Sequence, residues 1–384
     1  MSRISLDMYY VGHGAMFYAE ILDDADNLEM KLLVDAGSNS DETGEGAQNS
    51  MEDVIGRIMA NSAPLIICIT HLHTDHYSFI WELFVTLNNA ERFEMLEAFY
   101  VGSMRFGSKK KNLIEYADAF QDIGYLVRAR NKPAWKHLGF IVNEEDLWQS
   151  ADEQVRLTVL FNLLGGDGDE NDNSAVFCLK HDEAKQMVMF TGDITGTTLT
   201  RICSSSSSTC LGAFVAAVNG YSVWMTVPHH GSIHTLEKDD FIIQAGRQGQ
   251  QSYYTSRNLD NLFQPAGLRD MGFFISTGVK DKFGHPDYFV TRMFYNYAEK
   301  VPALLEHFPC YRTYDTPGYS MPRNLPPPGN GGWFAFTNQR RVYTTVVIND
   351  MDNPEKQELR TIHQDFPDEE ELWKNRRLKR ILEP

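Results

Sequence analysis

Cysteine is sparse in this sequence and carries no recognisable spacing. Cys68, Cys178, Cys203, Cys210 and Cys310 contain no CxxC pair. An odd, scattered set excludes a disulfide framework and reads as reduced thiols in a cytoplasmic protein, with Cys68 and Cys178 in apolar, core-forming strands. Positive charge is also short: 35 Lys and Arg against 52 Asp and Glu leave a formal net charge of -17. That balance excludes a chain-wide basic footprint for nucleic acid. Phosphates would have to be met by a local patch, by metal ions or by a basic partner. No long hydrophobic run is present. The most apolar stretch, Leu211–Val227, is interrupted by Asn219-Gly220 and reads as helix, turn and strand rather than as a membrane span. No basic-then-apolar signal segment opens the chain, and no internal repeat is found, so no membrane association is expected. With 384 residues, 42% of them hydrophobic, there is material for one large core or for a core and an appendage.

What the sequence does have is His71-Leu72-His73-Thr74-Asp75-His76, directly after the apolar run Pro64–Thr70. The run has the length and β-branched content of a buried strand. A strand that ends in three imidazoles and a carboxylate aims them from the sheet edge at one point. Neutral imidazole and carboxylate together suit zinc, and also manganese or iron. Further along lie Thr191-Gly192-Asp193-Ile194 after the strand-like Gln186–Phe190, then Val227-Pro228-His229-His230-Gly231-Ser232, then Gly284-His285-Pro286. Upstream are Val11-Gly12-His13-Gly14-Ala15 and Val34-Asp35-Ala36-Gly37.

In that order, these six stretches resemble the metallo-β-lactamase superfamily, and within it the ComEC-like branch, the hydrolase domain of competence DNA-uptake proteins. The match spans residues 11 to 286. The resemblance implies an α/β fold, the αββα sandwich. It also implies two divalent ions, Zn²⁺ or Mn²⁺: His71 and His73 on the first, Asp75, His76 and His285 on the second, and Asp193 bridging both. Asp35 would hydrogen-bond the metal loop from behind. Asp75, His229 and His230 are the candidate catalytic residues, the two histidines sharing the tasks of one further ligand and one leaving-group donor in an order the sequence leaves open. If the backbone there is extended, tandem side chains alternate and only one can face the site. His13 stands where the branch has glutamine and is a candidate substrate contact. The further ligand histidine of many superfamily members has no match: His137 and His181 lie in the right interval but in the wrong context, and this branch also lacks it.

The rest of the chain reads around this frame. Ser38–Asn49 is a polar loop, and Met51, Val54, Ile55, Ile58 and Met59 recur at helical spacing with Ser50 as N-cap. Ser78–Phe99 is apolar at helical spacing, and residues 77–150 are expected as a helical insertion in a hydrolase domain of residues 1–301. Basic residues cluster between Arg105 and Pro133, a candidate phosphate-facing surface. Arg247–Gln264 reads as a loop over the site. Residues 302–384 are expected as a C-terminal extension, with a strand at Tyr343–Val347 and a surface for a protein partner.

Two ions ~3.5–4 Å apart make hydroxide available near neutral pH and offset charge on the attacked group. The expected function is therefore metal-dependent hydrolysis, with a phosphodiester (DNA, RNA or a nucleotide) as substrate. A cyclic nucleotide would suit the acidic chain; thioester, lactone or lactam hydrolysis is compatible with the motifs. The alternative is a regulated effector or binding subunit, such as one in a multi-protein defence system.

Overall fold

The computed structural model describes residues 2–9, 11–38, 45–102, 135–163, 170–204, 208–236, 241–244, 253–263, 266–268, 270–276, 285, 290, 293–294, 309–312, 333–336 and 343–348. The chain builds one sheet and then the other. Strands β1 (Arg3–Tyr9), β2 (Met16–Leu22), β3 (Leu28–Ala36), β4 (Leu65–Ile69), β5 (Leu96–Val101) and β6 (Trp135–His137) lie side by side in chain order. The second sheet takes β7 (Glu145–Gln149), β8 (Val155–Asn162), β9 (Ala175–His181), β10 (Gln186–Phe190) and β11 (Ser222–Thr226). A separate hairpin, β12 (Phe241–Gln244) and β13 (Tyr253–Ser256), precedes β14 (Asp270–Ile275), which pairs with β11. Beyond residue 301, β15 (Pro309–Arg312) and β16 (Trp333–Phe336) extend the second sheet, and β17 (Tyr343–Ile348) pairs antiparallel with β1 of the first.

Three apolar clusters define the layers. Phe17, Val34, Cys68, Tyr100, Leu157, Phe177, Phe190, Trp224 and Phe274 fill the space between the sheets. Helices α1 (Glu45–Met59) and α3 (Ile80–Asn89), with the one-turn α2 (Thr74–Tyr77) between them, cover the outer face of the first sheet. Helices α4 (Gly196–Cys203), α5 (Ser208–Val218) and α6 (Arg257–Phe263) cover the second. This is the αββα sandwich. Because each sheet is covered on both faces, its central strands are buried throughout: all five residues of β4, which are apolar, and all seven of β9, of which only Lys180 and His181 are polar. Leu211–Val227 divides as expected into α5, a turn and β11, and no helix among the described residues is long and apolar enough to cross a membrane.

Several expectations change. Ser50 is not an N-cap. Helix α1 begins at Glu45, and Ser50 is buried within it. Ala47, Met51, Val54 and Ile58 form one buried stripe, which the polar neighbours of Ala47 disguise as loop. Helical spacing after Ser78 stops at Asn89, where Glu91 turns the chain at φ 55°. Leu96–Val101 is strand because it lies between β4 and β6. Among the described residues, 77–150 therefore supply three strands as well as helix, while the basic stretch from Arg105 to Pro133 lies wholly outside those described. Arg247–Gln264 contains β13 and α6, and the stretch beyond 301 contributes edge strands to both sheets.

Topology places the site. Strands β3, β4 and β5 are parallel, as are β10, β11 and β14. Ligands bind at the carboxyl ends of parallel strands, where the chain leaves the sheet. The ends of β4, β10 and β11 are where His71, Asp193 and His229-His230 follow.

Candidate metal centre

Asp35, near the end of β3, accepts hydrogen bonds from the Thr70 backbone N–H (2.8 Å) and the Thr70 hydroxyl (2.9 Å), which ties it to the end of β4. It also pairs with His76 Nδ1 at 2.8 Å. With Nδ1 held by Asp35, His76 Nε2 points inward, 3.2 Å from Asp193 Oδ1. Burial disfavours charge on His76, but Asp193 and Asp35 outweigh it and raise its pKa well above the ordinary value. His71 rests its Nδ1 3.2 Å from the Thr70 hydroxyl, and its buried Nε2 has no hydrogen-bond partner. Burial, reinforced by His76, lowers the His71 pKa and keeps the ring neutral, the form in which imidazole binds a metal ion.

The donors converge in two groups. Asp75, His76, Asp193 and His230 form one, and His71, His73 and Asp193 the other; within each, the donor atoms lie within 4.8 Å of one another. Asp193 belongs to both, and its two oxygens divide between them. Oδ1 faces His76 Nε2 (3.2 Å) and His230 Nε2 (3.6 Å), while Oδ2 faces His71 Nε2 (3.7 Å) and His229 Nε2 (3.8 Å). Burial alone would raise the Asp193 pKa, yet His230, His76, His229 and His71 hold it well below the carboxylate range.

These residues fit metal ions for a reason independent of the motif. His230 gives its Nδ1 hydrogen to the Ser276 carbonyl (2.8 Å), as His76 does to Asp35, so their Nε2 atoms meet at 3.3 Å. A pair of ring nitrogens that close needs one cation between them, a proton or a metal ion. His76, Asp193 and His230 also line a cavity of about 20 Å³, room for one small ion or water.

The tandem histidines depart from the extended-backbone expectation. His229 (φ 51°) and His230 (φ 52°) are both left-handed and are followed by Gly231 at φ 76°. Each such non-glycine residue costs ~1–3 kcal/mol and persists only where its surroundings enforce it. Here the His229 N–H donates to the Gly192 carbonyl (3.1 Å) and the Thr235 hydroxyl to the Pro228 carbonyl (3.0 Å). The left-handed turn removes the alternation, so both imidazoles face the site. His230 enters the second donor group. His229 stays at the mouth, its Nε2 3.5 Å from Asn171 Nδ2, and burial lowers its pKa.

His285 does not join the donor groups. Its ring lies 5.6 Å from that of His13 and 5.8 Å from that of His229, whereas His230 is in the group of Asp75, His76 and Asp193. The reason is the β11–β14 pairing, which brings the Ser276 carbonyl onto His230. His13 is also placed differently from its expectation as a substrate contact: it is buried, with Nε2 3.2 Å from Asp75 Oδ2. Asn171 belongs to the turn Asn171-Asp172-Asn173-Ser174, which resembles the NxxS turn of the ComEC-like branch, whereas no motif singles out Ser276, whose backbone carbonyl orients His230. Asp35→Asn should weaken metal binding ~10–100-fold, as loss of a ligand's orienting partner does. Metal titration of the variant checks this; unchanged affinity would remove Asp35 from the site.

No protein-family model matches the chain, and no curated protein matches it in sequence. Solved structures do resemble it. The metallo-beta-lactamase fold protein YhfI from Bacillus subtilis is 13% identical, with 58% of this chain and 71% of that one covered and a TM-score of 0.32. Unliganded yeast PDE1 is 11% identical, with 76% and 92% covered and a TM-score of 0.37. A long form RNase Z from yeast is 9% identical, with 90% and 42% covered and a TM-score of 0.39.

Proposed function

We propose that this chain is a binuclear metal-dependent hydrolase acting on phosphodiesters, a nuclease of the ComEC-like type. The observation that carries the reading is Asp193, whose two oxygens face two separate sets of imidazoles. A carboxylate divided in this way could serve two ions at once. His71 and His73 would hold one ion and Asp75, His76 and His230 the other, with Asp193 common to both. When bound, such ions supply a nucleophile from water near neutral pH and neutralise charge on the attacked phosphoryl group.

The protein's own groups do the rest. Asp35 and the Ser276 carbonyl select the imidazole tautomers that present Nε2 inward. His229, on the first-ion side at the mouth, is placed to hydrogen-bond a substrate oxygen or the departing one. Two divalent ions against Asp75 and Asp193 leave the site locally positive in an acidic protein, which suits an anionic substrate. The net charge of -17 favours a small one, such as a cyclic dinucleotide, over a long polymer.

Zinc- or manganese-reconstituted protein, assayed on single-stranded DNA, duplex DNA, RNA and cyclic dinucleotides, tests both readings. Turnover of the polymers supports the nuclease; turnover of the dinucleotides alone selects the small substrate. Well under one metal per chain, with no turnover, would sink the hydrolase and favour an effector or binding subunit.

A further inference from the structure

We propose that His13 is a positioning residue that holds the Asp75 carboxylate in its metal-binding orientation; the inference rests on the two-ion reading above. The turn between β1 and β2 grips Asp75 twice. The backbone grip is the Ala15 N–H, which donates to the Asp75 carbonyl at 3.0 Å. It requires glycine beside it: a Cβ at Gly14 would lie 2.8 Å from that same carbonyl oxygen and 2.2 Å from the Gly37 carbonyl oxygen. The Ser276 hydroxyl in turn donates to the Gly14 carbonyl, which pins the turn to the second sheet.

The side-chain grip is His13 itself. Its Nε2 lies 3.2 Å from Asp75 Oδ2, the same oxygen that faces His230 Nε2 at 3.3 Å. The His13 ring is confined between His230, at 4.7 Å between centroids, and His285, at 5.6 Å. It is thus a rigid donor rather than a solvated one. His13 lies outside the donor group of Asp75, His76, Asp193 and His230. Its contact with Oδ2 is that of an orienting partner, which fixes the carboxylate before an ion arrives.

Zinc affinity measured by competition with a chromophoric chelator tests this without reference to turnover. His13→Phe keeps the ring's bulk and removes the donor; it should weaken one of the two sites ~10–100-fold and leave the other unchanged. His13→Gln keeps an N–H within reach and should restore the affinity to within a few-fold, with a cobalt(II) absorption spectrum like that of the wild type. Should His13→Phe fail to fold, His13→Asn, too short to reach Asp75, takes its place with the same expectation. Wild-type affinity in the donor-less variant would overturn the proposal. So would His13→Gln binding as weakly as that variant, because donation would then not be the role. A wild-type protein that binds no metal would overturn the two-ion reading itself. Two tight sites in every variant would remove only the role of His13.

Discussion

Asp193→Asn is expected to lower turnover by ~10³-fold or more and to weaken both ions together, since it removes the one group shared by both sites. The substitution keeps the shape of a side chain that is 4% exposed. Its backbone position is held independently, by the Asp193 N–H donating to the Ser174 hydroxyl and by the tight approach of Gly192 to Thr70. The fold should therefore survive. An asparagine offers one oxygen, however, and places an N–H₂ group toward either His71 and His229 or His76 and His230. Whichever way the amide turns, one ion would meet an N–H₂ group where it needs an anionic oxygen ligand. Elemental analysis after reconstitution, with circular dichroism as the control for folding, checks this. Two metals per chain and retained turnover in the variant would show that Asp193 is not the bridge.

His230→Ala and His229→Ala should fail in different ways. His230 lies inside the donor group and is oriented by Ser276, so its loss should weaken one ion by more than the ~10–100-fold of an orienting partner. Turnover should recover in part at high metal concentration. His229 lies at the mouth, and its loss should cost ~10²–10⁴-fold in rate, the range for a positioned proton donor or acceptor, with metal affinity little changed. Excess metal should not rescue it. Turnover measured across a metal titration for each variant separates the two roles. Mild, indistinguishable defects would make the left-handed turn structural and leave the substrate without a protein donor there.

Much of this architecture can be read in the residues because it is local. An apolar run followed by His71–His76 shows a strand ending in metal-type donors, since strand periodicity and ligand chemistry both act within a few residues. The same holds for Gln186–Phe190 before Asp193 and for the helix, turn and strand within Leu211–Val227. Ser50 and the strand at Leu96–Val101 differ from the local pattern because their state depends on residues distant in sequence: the cluster with Tyr9 and Ile80 that buries Ala47 in one case, a place between two strands in the other.

Residue order alone shows that imidazoles and carboxylates follow strands of an α/β protein in a fixed succession. Which of them meet depends on how the two sheets pack. His230 rather than His285 joins Asp75 and His76, although 154 residues separate it from His76, because parallel pairing aligns the strand ends and Ser276 then turns the ring. Both tandem histidines face inward because the backbone is left-handed, a conformation maintained by hydrogen bonds to Gly192 and Pro228 rather than by the preference of histidine. The division of Asp193 between two donor sets is likewise a matter of directions in space. Residue spacing carries distance along the chain, and the convergence of lone pairs depends on strand register and on the hydrogen bonds that fix each ring.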